Sequence, residues 1–384
     1  MATPNEDTII ESLVRRESYL ARFASYLINK HIGKSINDFA KQLPSLLGEF
    51  GEYSELNKSD RNKIESIIRQ AINEDMASGF DLVTQDMIEM MPLDAEHVSD
   101  IYDDFLGQPF KIPDEKILAS YANAATMVLT SGASAQSGVW SQFVKNNIDS
   151  SSKAIIGQID AGYGAGLTNA EIQRNIRGTY NRKTKMYQGG IIQGKVKNQA
   201  AALVRTGVSH YSNSARDRTY AANKDIIETR IFYAVMDNRT SKTCMGWNLQ
   251  EWPIEDKNYP RIPQHINCRS AYIVRLKGID PLEGTKPAVQ GTTNDVDYST
   301  QRRGNKDERY GVQKVPSDMT SDEFLRLQPR KYVESSLGVT GARLFLDGKL
   351  PISKFTDLTG RPLSIKELKE SGVADKAFRL AGID

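Results

Sequence analysis

The amino-acid sequence predicts a mainly α-helical protein that contains one small α+β module. Apolar residues recur at three- to seven-residue steps between charged positions over residues 8–32, which is typical of an amphipathic helix. The same periodicity continues over residues 35–49, 59–78 and 82–91. Near residues 229–277 the pattern changes to the alternation of a short β-sheet. We therefore expect a helical N-terminal region, a central module with the sheet, and a helical C-terminal tail.

Length and charge limit the class of protein. The chain has 384 residues, which suits two or three domains, and its net charge of +2 excludes a uniformly basic coat for nucleic acid. No stretch approaches the roughly 18 apolar residues that cross a bilayer, and the start lacks a signal-peptide pattern. We expect no membrane partner and a cytosol-like compartment. The predicted regions are an N-terminal helical region (1–120), a central domain (121–281), a linker (282–318) and a C-terminal helical attachment element (319–384).

The first part of the central domain is predicted to be helical. An Ala/Ser-rich stretch predicts a helix that ends near Thr130, and a second helix begins at Trp140. The glycine cluster at residues 162–166 is followed by no Lys-Ser/Thr pair, so we interpret it as a helix stop rather than a phosphate-binding loop. Thr168 and Glu171 have the spacing of a capping box, which predicts a new helix immediately afterwards.

Residues 171–220, here called the basic segment, show the largest charge asymmetry of the chain. They hold ten Lys/Arg and two acidic residues, a net charge of +8 by 10 − 2. Such a segment can be a solvated helix face, a surface that follows a phosphate backbone, or a docking site for an acidic partner. Its tyrosines suit base stacking as well as a core. The candidate nucleic-acid-binding residues are Arg174, Arg177, Arg182, Lys183, Lys185, Lys195, Lys197, Arg216 and Arg218.

Two predicted strands enclose the most unusual part of the sequence. They are "TRIFYAVMD" from residue 229 and "AYIVRLKG" from residue 271, and a short helix and a Pro-rich loop lie between them. A long, turn-rich connection between paired strands usually has a functional or cross-linking role. The residues that we expect to converge there are Asp237, Arg239, Cys244, Trp247, His265, Cys268 and Arg269.

Cys244, His265 and Cys268 are candidate metal ligands. Two residues separate His265 from Cys268, a spacing that lets both bind one zinc ion, and Cys244 would close the loop. A fourth ligand is not obvious and would have to be Asp237 or water. Three interpretations remain open, and none makes a cofactor certain: a metal-free hydrogen-bonded core with Asp237 and Arg239, a structural zinc site, and a Cys244–Cys268 disulfide formed in an oxidising medium.

Catalysis is the weaker interpretation of the same residues. The sequence contains no H-E-x-x-H, G-x-S-x-G or Walker motif. A thiol protease could pair Cys244 or Cys268 with His265, because a neighbouring imidazolium activates a thiolate. Such enzymes normally take the pair from distant segments, so its confinement to about 25 residues favours structure. We expect that the protein is not an enzyme.

These motifs resemble the Mu F-like minor head, or head morphogenesis, proteins of tailed bacteriophages. The family has an Arg-Thr pair on a helix, a strand ending in Asp-x-Arg-Thr, a cysteine, and a Pro-x-His-x-Asn-Cys-Arg loop. The resemblance covers roughly residues 140–280, and the tail is similar to the C-terminal element of some members. Ser270 departs from the pattern, because many members have a cysteine there. The matching motif residues are Arg205, Thr206, Asp237, Arg239, Thr240, Pro263, Asn267 and Arg269, together with Cys244, His265 and Cys268.

The resemblance implies a virion component that is present in few copies. It would be made in the cytoplasm of the bacterial host and built into the procapsid beside the portal, inside or at the portal vertex of the capsid. Its expected partners are the portal protein, other head proteins and packaged double-stranded DNA, with no small-molecule substrate. The expected roles are head assembly and DNA delivery. The alternatives are a nucleic-acid-binding helical module outside virions and a cysteine-dependent hydrolase.

The C-terminal tail is predicted to be helical and separable. Thr320 with Glu323 and Ser364 with Glu367 have capping-box spacing, which predicts at least two helices. A polar linker precedes the tail. The tail has more apolar residues than so short a segment is expected to bury alone, so we expect a partner surface to cover them. These apolar residues are Phe324, Leu327, Tyr332, Leu337, Leu344, Phe345, Leu350 and Phe355.

Overall fold

The computed structural model describes residues 9–48, 57–107, 109–131, 134–292 and 310–383. Helices form most of these ranges, and the strands pair only into small antiparallel sheets. The predicted mainly α class with a small α+β module is therefore confirmed. Within the same ranges, no helix combines the length and the apolar character that a membrane span requires.

A long helix organises the N-terminal half. The helices there are α1 (Ile9–Leu27), α2 (Gly33–Gly48), α3 (Lys58–Leu106) and α4 (Glu115–Ala124), and one π-helical turn (Ile28–Ile32) joins α1 to α2. α3 passes through both predicted segments as one helix of 49 residues, about 73 Å long. The Asn57 side chain caps its first turn, and Gly107 ends it in the left-handed conformation. Its apolar residues pack against α2, α5 and α7.

The helix predicted to end near Thr130 ends earlier, so that prediction is wrong. α4 stops at Ala124, and β1 (Met127–Ser131) pairs with β2 (Ser134–Gly138). Met127 and Leu129 are buried whereas Val128 is exposed, which is the period of two of a strand. The backbone N–H and the hydroxyl of Thr130 both donate to the carbonyl of Gln264. This contact with the distant Pro-rich loop favours the extended conformation over a longer helix.

The predicted helix stop and capping box are both confirmed. The elements that follow β2 are α5 (Trp140–Gly164), α6 (Asn169–Arg177), β3 (Thr179–Asn181), β4 (Met186–Gln188), a π-helical turn (Ile192–Val196) and α7 (Lys197–Ala222). α5 ends within the glycine cluster, where Gly166 has a φ of +71°. The Thr168 and Glu171 side chains then cap the start of α6 reciprocally. β3 and β4 form a short hairpin that carries basic residues at its turn.

The predicted sheet is present and antiparallel. β5 (Ile227–Tyr233) lies between β6 (Glu251–Pro253) and β7 (Ala271–Leu276), and α8 (Lys242–Trp247) lies in the connection after β5. Ile231 faces Ile273 across the strand pair, and Phe232 faces Tyr272. The start of α1 and the end of α3 pack on this sheet and form a second core with it. The sheet and the helical bundle are thereby joined.

The C-terminal tail packs against itself and against other parts of the same chain, so the expectation that a partner surface covers its apolar residues is wrong. β8 (Thr285–Gly291) and β9 (Tyr310–Pro316) pair at the two ends of the predicted linker. The helical elements that follow are α9 (Ser321–Arg326), α10 (Arg330–Leu337), α11 (Val339–Leu346), a 3₁₀ turn (Ile352–Phe355), α12 (Ile365–Glu370) and α13 (Asp375–Leu380). Capping boxes begin α9 and α12 as predicted. The tail residues bury one another together with Met236 and Met245, and of the predicted apolar set only Leu327 is exposed, at 69%.

Candidate metal centre and basic surface

Local backbone structure brings Cys244, His265 and Cys268 to one place. The hydroxyl of Ser241 caps the N-terminus of α8 by accepting from the backbone N–H of Cys244, which fixes Cys244 in the first turn. His265 and Cys268 are the ends of a turn in which the Cys268 N–H donates to the His265 carbonyl. Asn267 takes the left-handed conformation in that turn, with a φ of +59°, which Asn adopts more readily than most residues.

The three ligand atoms have nearly the separations that a tetrahedral zinc ion would impose. The Cys244 Sγ lies 3.2 Å from His265 Nε2 and 3.7 Å from Cys268 Sγ. With zinc–sulfur bonds of about 2.3 Å and zinc–nitrogen bonds of about 2.05 Å, the tetrahedral edges are about 3.6 Å and 3.8 Å. All three atoms lie within 4.8 Å of one another. This Cys-His-Cys group could therefore hold a metal ion with little movement.

The histidine presents the correct nitrogen to the group. His265 Nδ1 lies 2.9 Å from the carbonyl oxygen of Ile266, to which it donates. That hydrogen bond places the proton of a neutral imidazole on Nδ1 and leaves the Nε2 lone pair facing Cys244. A backbone carbonyl is one of the usual acceptors that orient histidine ligands in metal sites.

The two thiols differ in acidity. A hydrogen bond from Cys244 and the neighbouring His265 hold the pKa of Cys268 well below its usual range. Burial raises the pKa of Cys244 well above its usual range, and the charge of Cys268 raises it further. Burial opposes a charge on His265, but the Cys268 thiolate outweighs it and raises the His265 pKa. Without metal, a negative charge in this group is therefore favoured on Cys268 over Cys244.

Asp237 is not available as the fourth ligand, so the expectation that it could complete the set is wrong. Arg269 donates to both of its carboxylate oxygens, at 2.6 Å and 2.7 Å. The Arg239 backbone N–H and the Thr240 hydroxyl also donate to Oδ1. Burial opposes the negative charge, but the Arg269 guanidinium outweighs it and keeps the Asp237 pKa below its usual value. Asp237 thus ties the end of β5 to the loop.

The remaining motif residues connect the loop to α7. The Thr206 hydroxyl on α7 accepts a hydrogen bond of 3.0 Å from the Asn267 backbone N–H, and it donates to the Ala202 carbonyl. Arg205 beside it is partly buried, and Pro263 in the loop is buried and follows a cis peptide bond. The three segments that carry the motif therefore meet in the folded chain, although the sequence analysis predicted this convergence only for the residues between the two strands.

The 3.7 Å separation of the two sulfur atoms is too long for a disulfide bond, and burial argues against catalysis by these thiols. Cys244 and Cys268 are free thiols, with only 1% and 3% of their surfaces exposed. A small pocket beside them leaves about 10 Å³ for the centre of a water-sized molecule, which suits one water molecule. A peptide does not fit there. The pocket is lined by Val235, Arg239, Thr240, Ser241, Cys244, His265, Asn267, Arg269 and Ser270.

The first half of the basic segment forms a basic surface. Arg174, Arg182, Lys183, Lys185 and Lys195 are exposed, and Arg182, Lys183 and Lys185 stand at the turn of the β3–β4 hairpin. The other two candidates in this half, Arg177 and Lys197, are partly buried. Tyr180 and Tyr187 meet edge to face across this hairpin, and Arg177 lies over the Tyr187 ring.

Arg216, in the second half, cannot contact a phosphate, so its place among the candidates is wrong. Its exposed fraction is 1%, and its Nη1 lies 2.9 Å from Glu17 Oε1. Its Nε lies 3.8 Å from the fully buried Asp94, which also accepts from Arg16. Arg218 is partly buried and lies over the ring of Tyr121. These arginines hold helices together.

The sequence analysis missed two groups that support the site. Ser241 was readable in principle, because a serine three residues before Cys244 has the pattern of a helix N-cap. The role of Asp217 could not be predicted from the sequence, because its partners are distant along the chain. It accepts hydrogen bonds from Tyr121, Tyr259, Arg230 and Arg261. This cluster fixes the Pro-rich loop to α4, α7 and β5.

Comparisons with protein-family models, with curated proteins and with solved structures gave no match to this chain. What the chain does is therefore inferred from its residues and their geometry.

Proposed function

We propose that this chain is a low-copy minor head protein of a tailed bacteriophage, related to the Mu F-like proteins. It would lie inside or at the portal vertex of the capsid, bind the portal and other head proteins, and contact packaged double-stranded DNA. The observation that carries the proposal is the mutual contact of the motif segments, through Thr206 with Asn267 and Asp237 with Arg269. Residues that resemble the family motif thus cross-link one loop, which is the arrangement that a docking surface needs.

The DNA contact is supported by the exposed half of the basic segment. A hairpin turn with three adjacent cationic side chains can follow phosphates without reading bases, because phosphate contacts carry no sequence information. A protein that holds packaged DNA must bind it regardless of sequence. The same surface would also serve the alternative function, a nucleic-acid-binding module outside virions.

We further propose that the metal held by Cys244, His265 and Cys268 is zinc. Two thiols and one imidazole are the donors that zinc prefers, and their spacing fits its tetrahedral edges. When bound, zinc would cross-link the start of α8 to the loop, and the Nδ1 hydrogen bond of His265 would keep the imidazole oriented. The ion would thus make an irregular connection rigid.

A cysteine-dependent hydrolase is the second candidate, favoured by the lowered pKa of Cys268 beside His265. It ranks lower because the adjacent pocket leaves room for about one water molecule rather than a peptide. A peptidase or esterase activity that disappears in Cys268→Ser but persists in the exposed-site control Lys257→Ala would favour this candidate over the structural role.

Quantitative mass spectrometry of purified particles tests the main proposal. Virions of the phage or prophage that encodes this chain should contain it at a small fraction of the copy number of the major capsid protein. The culture lysate provides the reference, because it shows whether the chain was made. If the chain is abundant in the lysate and absent from purified particles, the head-protein proposal is wrong and the module outside virions is favoured.

A further inference from the structure

We infer that the metal centre is open: its fourth position is taken by a water molecule that a small anion can replace, and not by a protein side chain. This inference rests on the proposed zinc site. In closed structural zinc sites, four protein ligands surround the ion. The centre proposed here would instead have three protein ligands and one exchangeable ligand, as in sites where zinc binds water or substrate.

Within the ranges that the structure describes, the inventory of donors leaves no fourth protein ligand. The chain has two cysteines and four histidines in all, and both cysteines and one histidine are already in the group. The other histidines are engaged or located elsewhere: His31 pairs with Asp86, and His210 bonds the Ala122 carbonyl. His97 lies on α3 beside Arg16 and Arg216. Among the described residues, the candidate metal-binding group contains Cys244, His265 and Cys268 and no further Cys, His, Asp or Glu.

The nearest carboxylate is also excluded as a ligand by its contacts. Both oxygens of Asp237 accept from the Arg269 guanidinium, and Oδ1 accepts from Thr240 as well. Moving this carboxylate to a metal would leave the partly buried Arg269 guanidinium without its partner, which is costly. The carboxylate therefore stays with Arg269, and within the part of the chain that the structure describes a solvent molecule is left as the fourth ligand.

The pocket beside the group has the size and the polarity for that molecule. It leaves about 10 Å³ for the centre of a water-sized molecule, enough for one water. Thr240, Ser241 and Ser270 line it, and an ordered water needs two to four polar partners of this kind. Arg239 and Asn267 line its outer part and are exposed, so the ligand can exchange with solvent.

The charge of the pocket favours an anion as the replacing ligand. Two thiolates and a neutral imidazole would cancel the charge of a zinc ion. Asp237 and Arg269 cancel each other through their paired hydrogen bonds. Arg239 remains as the excess positive charge, with 38% of its side chain exposed and a distant contact of 3.5 Å to Asp237. An anion that binds through one atom, such as chloride or azide, matches this charge and needs only that atom to take the place of the water.

Cobalt substitution tests the inference without any assay of activity. The full chain, reduced and stripped of metal, is titrated with Co²⁺ and its visible and near-ultraviolet spectra are recorded. We expect one Co²⁺ per chain with thiolate charge-transfer bands, and visible bands that shift as sodium azide binds at one azide per cobalt. Cobalt uptake without any response to azide would overturn the open centre while leaving the metal site intact.

Two variants complete the test. Cys268→Ser should lose cobalt uptake, which confirms the ligands. Ser270→Cys places a third thiol in the pocket, so its cobalt complex should gain thiolate charge transfer and lose the azide response. An azide response that persists unchanged in Ser270→Cys, with a third thiolate bound, would contradict the assignment of the open position to this pocket. If wild-type chain takes up no Co²⁺ or Zn²⁺, both the metal proposal and this inference are wrong, whereas the head-protein proposal is tested separately by the particles.

Discussion

The two halves of the basic segment differ in what their charges contact. In the first half, Arg182, Lys183 and Lys185 stand at an exposed hairpin turn, and no ion pair within the described ranges involves them. In the second half, Arg216 is buried between Glu17 and Asp94. Arginine clusters that look alike in sequence therefore serve either as a surface or as an internal cross-link. The difference lies in whether the fold supplies carboxylate partners.

Removal of the internal charge should have the largest effect. Arg216→Met leaves the buried carboxylates of Glu17 and Asp94 with one guanidinium fewer, and breaking a buried ion pair typically costs about 3–5 kcal/mol. We expect a loss of this size in the free energy of unfolding, measured by denaturant titration. Arg182→Met is the matched control at the exposed turn and should change the free energy of unfolding by less than about 0.5 kcal/mol.

The comparison of the halves fails if these two variants behave alike. Equal losses would mean that the hairpin arginine has internal partners, and a loss below about 1 kcal/mol in Arg216→Met would mean that its ion pairs only balance their desolvation.

The internal half should also make stability depend on pH. His210 on α7 is buried and bonds the Ala122 carbonyl, and burial lowers its pKa to about 4. The unfolded chain takes up a proton near pH 6.5 whereas the folded chain does not, so stability falls as the pH falls from about 6.5 to 4. The loss is about 3 kcal/mol for a shift of this size.

His210→Gln isolates that contribution, because its amide can still donate to Ala122 but does not titrate. Denaturant titrations at pH 6.5 and pH 4.5 should show a clearly smaller decrease for the variant than for the wild type. Burial opposes the charges of Asp94 and Asp237, but Arg216 and Arg269 lower the pKa values of these carboxyl groups. Their protonation at low pH therefore destabilises both the wild type and the variant. An identical decrease in the two proteins would assign the whole effect to these carboxylates.

Local signals in the sequence predicted local structure well. The periodicity of residues 8–32, the glycine cluster and the three capping boxes predicted helices and helix ends that the structure contains. The convergence of Cys244 with the His265 loop was also predictable, because two strands enclose both. The rest depends on distant partners. The strand at Thr130 is held by Gln264, and Arg216 is buried by Glu17 and Asp94, contacts that no local pattern encodes.

The exposed half should contribute least to stability. The triple substitution Arg182→Ala, Lys183→Ala and Lys185→Ala removes side chains that lie on the surface, and such changes usually alter stability by less than about 0.5 kcal/mol each. We expect an unfolding midpoint close to that of the wild type. A large decrease would show that the hairpin turn is a structural element, and it would then not be a free surface for a ligand.

The salt dependence of DNA binding by this triple variant tests the central claim most directly. Wild-type chain should bind double-stranded DNA without sequence preference, and the logarithm of its affinity should fall linearly with the logarithm of the salt concentration. The variant should lower that slope by about one for each phosphate contact removed. The control Lys349→Ala, Lys354→Ala and Lys369→Ala removes the same charge from exposed sites on the tail and should keep the wild-type slope. A slope unchanged in the hairpin variant, or reduced equally in the control, would contradict a phosphate-binding role for the basic surface.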